Sequence, residues 1–138
     1  MKTNLKIAID VMGSDNGPEA IISGAALSKE RHPKIEYIFF GDEKLIKTHL
    51  NKYKNLNNSY EIIHTHQVVL PEDKPSLALR KRGNTSMGVS LKYLGERKAN
   101  ALVSAGNTGA LMAMSKLQLR MLEGISRPAI ASTFPHQK

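Results

Sequence analysis

The sequence has 138 residues, of which 41% are hydrophobic and 23% are charged, values typical of one globular domain of ordinary size. It contains no cysteine, which excludes disulfides, thiolate metal sites and a cysteine nucleophile and favours a reducing compartment. No segment approaches the ~20 apolar residues of a membrane span, and the N-terminus lacks the pattern of a signal peptide. We therefore predict a cytoplasmic protein.

The formal net charge is +8, from 20 Lys and Arg against 12 Asp and Glu, and it favours an anionic partner. Phosphate groups, anionic lipid, an acidic carrier protein and nucleic acid all carry suitable charge. The basic residues are dispersed apart from residues 80–84, and aromatic residues do not interleave with them, so no nucleic acid partner is expected. A solvated cationic surface explains the charge equally well.

Apolar runs typical of buried strands alternate along the chain with segments of helical periodicity. The predicted strands are 5–11, 35–41, 60–70 and 99–105. The predicted helices are 18–29, 42–53, 86–97 and 108–124, and their boundaries carry Pro18, Asp42 and Gly124. Residues 71–76 contain two prolines and are predicted to form a loop. A last apolar run follows Pro128.

The alternation predicts a single α/β domain over residues 1–138, with a parallel sheet in a three-layer α/β/α, Rossmann-like arrangement. Ligands in such folds bind beyond the carboxyl ends of the strands, where the strand-to-helix loops lie. Three loops are therefore expected to carry the chemistry.

The first loop is "DVMGSDNGP" at 10–18. Asp10 falls at the end of the first strand, and Gly13 and Gly17 permit a close approach of backbone or ligand, with Asp15 between them. A turn that caps the following helix explains the same residues. Asp10 and Asp15 also suit a hard cation, but no third acid is nearby, so we predict no metal site.

The second loop is "LRKRGNTSMG" at 79–88. Arg80 and Arg82 offer forked donors, while Thr85 and Ser86 are suited to cap the next helix and leave its N-terminal amides facing an anion. These residue types together suit phosphate. A helix cap preceded by a solvated basic run is an equally good interpretation.

The third loop, "SAGNTG" at 104–109, follows a strand and opens a helix. Gly106 and Gly109 bracket Asn107 and Thr108, so the backbone can turn sharply and present amides beside an Asn side chain and hydroxyls. This pattern indicates a cradle for phosphate or an oxyanion. It matches neither a Walker loop nor a dinucleotide-binding loop, and a plain strand-to-helix turn explains it as well.

Four blocks of the sequence resemble, in order, the bacterial phosphate acyltransferase family of phospholipid synthesis. They are "IDVMGSDNGPEAIISGA", "ALRKRGNTSMG", "VSAGNTGALMA" and "GISRPAIA". The resemblance implies transfer of a long acyl chain from acyl carrier protein to inorganic phosphate, without a cofactor. It further implies a fold related to phosphotransacetylases and isocitrate dehydrogenases, a homodimer, peripheral association with the inner face of the membrane, and a glycerol-3-phosphate acyltransferase as a possible partner.

This sequence departs from the family pattern at Ser14, where the family usually has Gly, and at Thr85, where it commonly has Ser. Family members are also more than twice as long, so the resemblance implies the N-terminal portion of a truncated family fold. A non-catalytic phosphate-binding module and an inactive fragment of the enzyme stay open as alternatives.

Phosphate is already nucleophilic near neutral pH and a thiol of pKa ~8.5 leaves readily, so positioning and oxyanion stabilisation are expected to dominate the reaction. We predict Asn107, Ser104 and Asp10 as catalytic residues. The predicted phosphate-binding residues are Gly13, Asp15, Gly17, Arg80, Arg82, Thr85, Ser86, Gly106, Thr108 and Gly109.

Overall fold

Four parallel strands and five α-helices make up most of the computed structural model, which describes residues 5–135. The strands are β1 Lys6–Asp10, β2 Glu36–Gly41, β3 Tyr60–His64 and β4 Ala101–Ser104. The helices are α1 Gly17–Arg31, α2 Glu43–Leu50, α3 Pro75–Lys81, α4 Ser86–Gly95 and α5 Thr108–Leu119. Short 3-10 helices lie at Lys54–Leu56 and Arg82–Asn84.

The sheet has the strand order β3-β2-β1-β4. The chain therefore moves in one direction from β1 to β3 and then crosses back to place β4 on the other side of β1. The first strand pairs in register with both neighbours, Ile9 opposite Phe39 on β2 and opposite Val103 on β4. The reversal of strand order makes the carboxyl ends of β1 and β4 the switch point at which open α/β sheets bind ligands.

The two faces of the sheet are covered by different helices. On one face, Ile9 and Phe39 pack with Ile22 of α1 and Ile46 of α2 in one buried cluster. On the other face, Phe40 belongs to a cluster that includes residues of α4. Helix α5 lies against α3 and α4. This arrangement confirms the predicted parallel α/β fold with three layers.

Capping residues set several helix starts as the sequence predicts. Asp42 accepts a hydrogen bond from the Leu45 amide at 3.0 Å, and this bond holds the pKa of the Asp42 carboxyl below its usual value. Thr85 caps α4 by accepting from the Gly88 amide at 3.1 Å. Both boundaries agree with the sequence prediction within one residue.

The helices predicted over 42–53 and 86–97 end earlier, at Leu50 and Gly95, and three other predicted elements differ more from the structure. The strand predicted over 60–70 ends at His64, and the loop predicted over 71–76 gives way at Pro75 to helix α3. Proline suits the first turn of a helix, since its missing N–H has no helical acceptor there. Helix α5 ends at Leu119 rather than near Gly124, because Arg120 adopts a left-handed φ of 66°. Within residues 5–135, no helix is long and apolar enough to cross a membrane.

Candidate functional site

Two glycines bring the loop after β1 against the loop after β4. A Cβ atom placed on Gly13 would lie 3.0 Å from the Cα of Gly106, and one placed on Gly106 would lie 3.3 Å from the Cα of Gly13. Both distances are shorter than ordinary packing of a methyl group allows. The two loops therefore meet backbone to backbone, and glycine is required at the contact because of space rather than because of φ.

A hydrogen-bonded chain ties the same two loops together below the glycines. The Ser104 hydroxyl donates to Oδ2 of Asp10 at 2.8 Å, and the Gly106 amide donates to the Ser104 oxygen at 3.2 Å. Asp10 is only 1% exposed, so its carboxylate depends on the Ser104 hydroxyl and on the Met12 amide, which lies 3.4 Å from Oδ1. Asp10 and Ser104 thus fix the geometry of the switch point.

An open pocket of about 350 Å³ lies at this switch point. Its lining comes from both loops and from the segment before α3: Gly13, Asp15, Pro71, Ala105, Gly106, Asn107, Thr108 and Gly109. The lining is mostly backbone and small polar side chains, and among the described residues it includes no Lys or Arg. Another cleft, around Lys6 and Glu36, lies at the opposite edge of the sheet, where such folds do not usually bind ligands.

The N-terminus of α5 lies at this pocket, because Thr108 and Gly109 belong to its lining. The Ala110 amide donates to Oδ1 of Asn107 and the Leu111 amide to the Asn107 carbonyl, both at 3.0 Å. The amides of Thr108 and Gly109 have no acceptor within residues 5–135. Helix α5 has 12 residues, so these free donors sit at the positive end of a full helix dipole, a favourable place for an anion.

The Asn107 side chain is occupied on both sides. In addition to capping α5 through Oδ1, its Nδ2 atom lies within hydrogen-bond distance of three carbonyl oxygens: Leu70 at 3.1 Å, Pro71 at 3.0 Å and Asp73 at 3.0 Å. The side chain therefore links the start of α5 to the segment 70–73.

The second predicted loop occupies a different position from the other two. Arg80 and Arg82 are exposed and do not line the pocket; the Arg82 Nη1 atom donates to the Leu79 carbonyl at 2.7 Å. Thr85 and Ser86 are buried, and Thr85 is committed to its helix cap. The loop contacts the pocket region through the Met87 side chain. A Cβ placed on Gly106 would lie 3.0 Å from its Cε atom.

Gly17 begins α1 with a left-handed φ of 74° and does not line the pocket. The structure thus brings together Asp10, Gly13, Asp15, Ser104, Gly106, Asn107, Thr108 and Gly109, and leaves Gly17, Arg80, Arg82, Thr85 and Ser86 outside the lining.

Sequence reasoning missed the segment 70–73 as a pocket wall. The two prolines of residues 71–76 predict a loop, but no periodicity links that loop to Asn107, which is 34 residues away from Asp73. The two histidines His64 and His66 form a pair at the end of β3, with ring nitrogens 3.3 Å apart. Residues 5–135 contain no group of three His, Cys, Asp or Glu placed to hold a metal ion.

Comparisons with known proteins place these features in a family. A family model described as "Fatty acid synthesis protein" matches residues 5–138. Curated proteins named "Phosphate acyltransferase" are similar over 98% of this chain: one from Rhodopseudomonas palustris (strain TIE-1) at 46% identity, one from Azorhizobium caulinodans at 48% and one from Pseudoalteromonas atlantica at 44%. The match covers 38%, 38% and 40% of those relatives, respectively.

Proposed function

This chain belongs to the fatty acid synthesis protein family, and from that membership we propose that it acts in acyl transfer to inorganic phosphate. The observation that carries the proposal is the pocket at the β1/β4 switch point, which is lined at the start of α5 by Thr108 and Gly109, whose amides have no acceptor within residues 5–135. Relatives named phosphate acyltransferase supply the reaction class.

In this proposal the pocket binds inorganic phosphate through backbone donors. Phosphate would accept from the Thr108 and Gly109 amides and from the Thr108 hydroxyl, which is on an exposed residue. The helix dipole of α5 favours the anion. Gly13 and Gly106 leave the backbone bare, so a tetrahedral anion can approach it closely.

The proposed acyl donor is the thioester of acyl carrier protein. A phosphate oxygen attacks the thioester carbonyl carbon, a C–O bond forms, and the C–S bond breaks. The products are acyl phosphate and the carrier thiol. The proton that phosphate loses is taken up by the leaving thiolate, directly or through solvent. No strong general base is required, because phosphate is anionic at neutral pH and a thiolate is a good leaving group. Positioning and stabilisation of the oxyanion carry the catalysis.

Asp10 and Ser104 would act by holding the two loops at the correct separation, since their hydrogen bond spans the contact. The role of Arg80 and Arg82 as phosphate ligands stays a prediction. They lie on the exposed end of α3 and the following 3-10 helix, where they suit a more distant part of an anionic substrate or an acidic carrier surface.

The partners implied by the resemblance are proposals of the same rank. The net charge of +8 is complementary to an acidic carrier protein. We also propose a homodimer and a cytoplasmic location at the inner face of the membrane. A glycerol-3-phosphate acyltransferase is the further proposed partner. The chain spans about 38% of the length of the relatives it matches.

A second candidate is a phosphate-binding module without turnover. The open pocket favours it, because the lining residues include no side chain that encloses a bound acyl group. Phosphate binding by this chain in the absence of acyl transfer supports the module, whereas turnover supports the enzyme.

The test is an acyl transfer assay with acyl carrier protein thioester and inorganic phosphate, in which hydroxylamine traps acyl phosphate as the hydroxamate. We expect Thr108→Val to weaken phosphate binding by about threefold to tenfold, the value of one net hydrogen bond. Thr48→Val, on the exposed surface of α2, is the matched control and should leave the phosphate affinity unchanged. A failure of phosphate to bind, or equal binding by Thr108→Val and the unsubstituted chain, would count against this pocket.

A further inference from the structure

We infer that Asn107 is a positioning residue that holds the segment 70–73 in place as one wall of the phosphate pocket. The identity of the ligand, inorganic phosphate, rests on the proposed function. The positioning role itself rests on the hydrogen bonds of Asn107. It differs from the role predicted from the sequence, in which Asn107 acts directly on the reacting groups.

The donors of Asn107 are already used within the chain. An asparagine amide nitrogen carries two hydrogens, and the Nδ2 atom faces three carbonyl oxygens at 3.0–3.1 Å. Its Oδ1 atom accepts from the Ala110 amide at 3.0 Å. A phosphate ion would have to displace one of these bonds to reach the side chain. Among the described residues 5–135, the backbone amides of Thr108 and Gly109 have no acceptor, so phosphate binding there needs no such exchange.

The segment 70–73 is a turn that the Asn107 side chain links directly to the start of α5. The Asp73 amide donates to the Leu70 carbonyl at 3.1 Å, and the Leu70 amide donates to Oδ2 of Asp73 at 3.0 Å. These bonds close the turn on itself but do not attach it to α5. The amide of Asn107 makes that attachment, and Pro71 then lines the pocket.

Helix α3 follows the turn and packs against α5. A Cβ placed on Gly109 would lie 3.2 Å from Cγ of Pro75, the first residue of α3. Release of the turn would therefore loosen two sides of the α5 N-terminus, the wall at Pro71 and the packing at Pro75. A phosphate held at the Thr108 and Gly109 amides would lose a rigid boundary.

Substitution can separate the cap from the link. Asn107→Ser keeps an oxygen that caps α5 and removes the amide donors, because serine is as good an N-cap as asparagine. Asn107→Asp also keeps the cap but directs a carboxylate oxygen at the carbonyl oxygens of Leu70, Pro71 and Asp73. Asp42→Ala, which removes the corresponding cap of α2, is the matched control for a capping loss elsewhere.

The experiment measures amide hydrogen exchange and phosphate affinity on the full 138-residue chain. In Asn107→Ser we expect the α5 amides to keep their protection, while the Asp73 amide exchanges about tenfold faster, the factor that corresponds to ~1.4 kcal/mol. Phosphate affinity should fall by about threefold to tenfold in Asn107→Ser and further in Asn107→Asp. Asp42→Ala should change neither the exchange at Asp73 nor the affinity.

The outcomes separate this inference from the proposed function. If the unsubstituted chain binds no inorganic phosphate, the proposed function fails. If it binds phosphate and Asn107→Ser binds equally well, the positioning role alone is overturned. Unchanged exchange at Asp73 in Asn107→Ser would also overturn it, because the turn would then be held by other contacts.

Discussion

Replacing Gly13 by alanine tests whether the pocket depends on the close approach of two loops. The new Cβ would stand 2.9 Å from Oδ2 of Asp10 and 3.0 Å from the Cα of Gly106. Gly13 has no positive φ, so the backbone itself accepts alanine and only the space is lacking. One partner is a buried carboxylate and the other is backbone, and neither can rotate away as the end of a flexible side chain can.

The expected cost follows from overpacking. An extra methylene in a tightly packed site costs about 1–3 kcal/mol. Separation of the loops would also lengthen the 2.8 Å hydrogen bond between Ser104 and Asp10, and a hydrogen bond to a charged group contributes about 1.5–3 kcal/mol. For a chain of this size, each kcal/mol lowers the melting temperature by roughly 3–5 °C. We therefore expect a loss of at least several degrees and weaker phosphate binding.

The assay is thermal unfolding followed by circular dichroism, with phosphate affinity measured on the same samples. Gly24→Ala is the control, since a Cβ on Gly24 meets no atom of residues 5–135 within 4 Å. This residue lies inside α1, so alanine should stabilise the chain by about 0.5–1 kcal/mol through helix propensity. An unchanged melting temperature and affinity in Gly13→Ala would refute the glycine contact as a feature that shapes the pocket.

Two further predictions concern packing and charge near the site. A Cβ on Gly88 would overlap the Arg82 carbonyl group, so Gly88→Ala should lower the free energy of unfolding by about 3 kcal/mol or more. Urea denaturation measures this free energy, with Gly24→Ala as the control. A loss below about 1 kcal/mol would contradict the packing at the start of α4. Asp15 is among the phosphate-binding residues predicted from the sequence, but its carboxylate lines the pocket and repels an anion there. Asp15→Asn should therefore tighten phosphate binding by about fivefold, equivalent to ~1 kcal/mol for charges a few ångströms apart in water. Isothermal titration with phosphate checks this, and weaker binding by Asp15→Asn would show that Asp15 supports the ligand.

The fold could be predicted largely from the sequence because its strands and most helices carry strong local signals. Strands such as "KIAID" and "EYIFFG" have an uninterrupted apolar centre, which is typical of parallel strands covered on both faces. Asp42 and Thr85 mark helix starts through hydrogen bonds within three residues. Local bonds of this kind are visible in sequence.

Helix α3 could not be predicted in the same way. It has seven residues, too few for helical periodicity to stand out, and it packs against α5, which is distant in sequence. The end of the predicted strand 60–70 has a similar cause. After His64 the chain leaves the sheet, and Gln67 instead makes an isolated bridge with Thr85. Both features depend on residues distant in sequence.

The candidate site shows the same division. The glycines and the Asn-Thr pair of the third loop were identifiable, because residues with these backbone and hydrogen-bonding properties follow a strand and open a helix. The wall formed by residues 70–73 was not, because it is attached through one side chain across more than 30 residues. The arginines of the second loop were singled out by charge, and charge alone does not specify which surface a side chain lines.

The central claim is that inorganic phosphate binds at the N-terminus of α5, within the β1/β4 switch point. The most direct measurement is a titration of the ¹⁵N-labelled chain with inorganic phosphate, with chloride at equal ionic strength as the control. The predicted result is saturable shifts of the amides of Thr108 and Gly109, accompanied by Gly13 and Gly106. No saturable shift at these amides, or shifts confined to residues 80–86, would contradict the account.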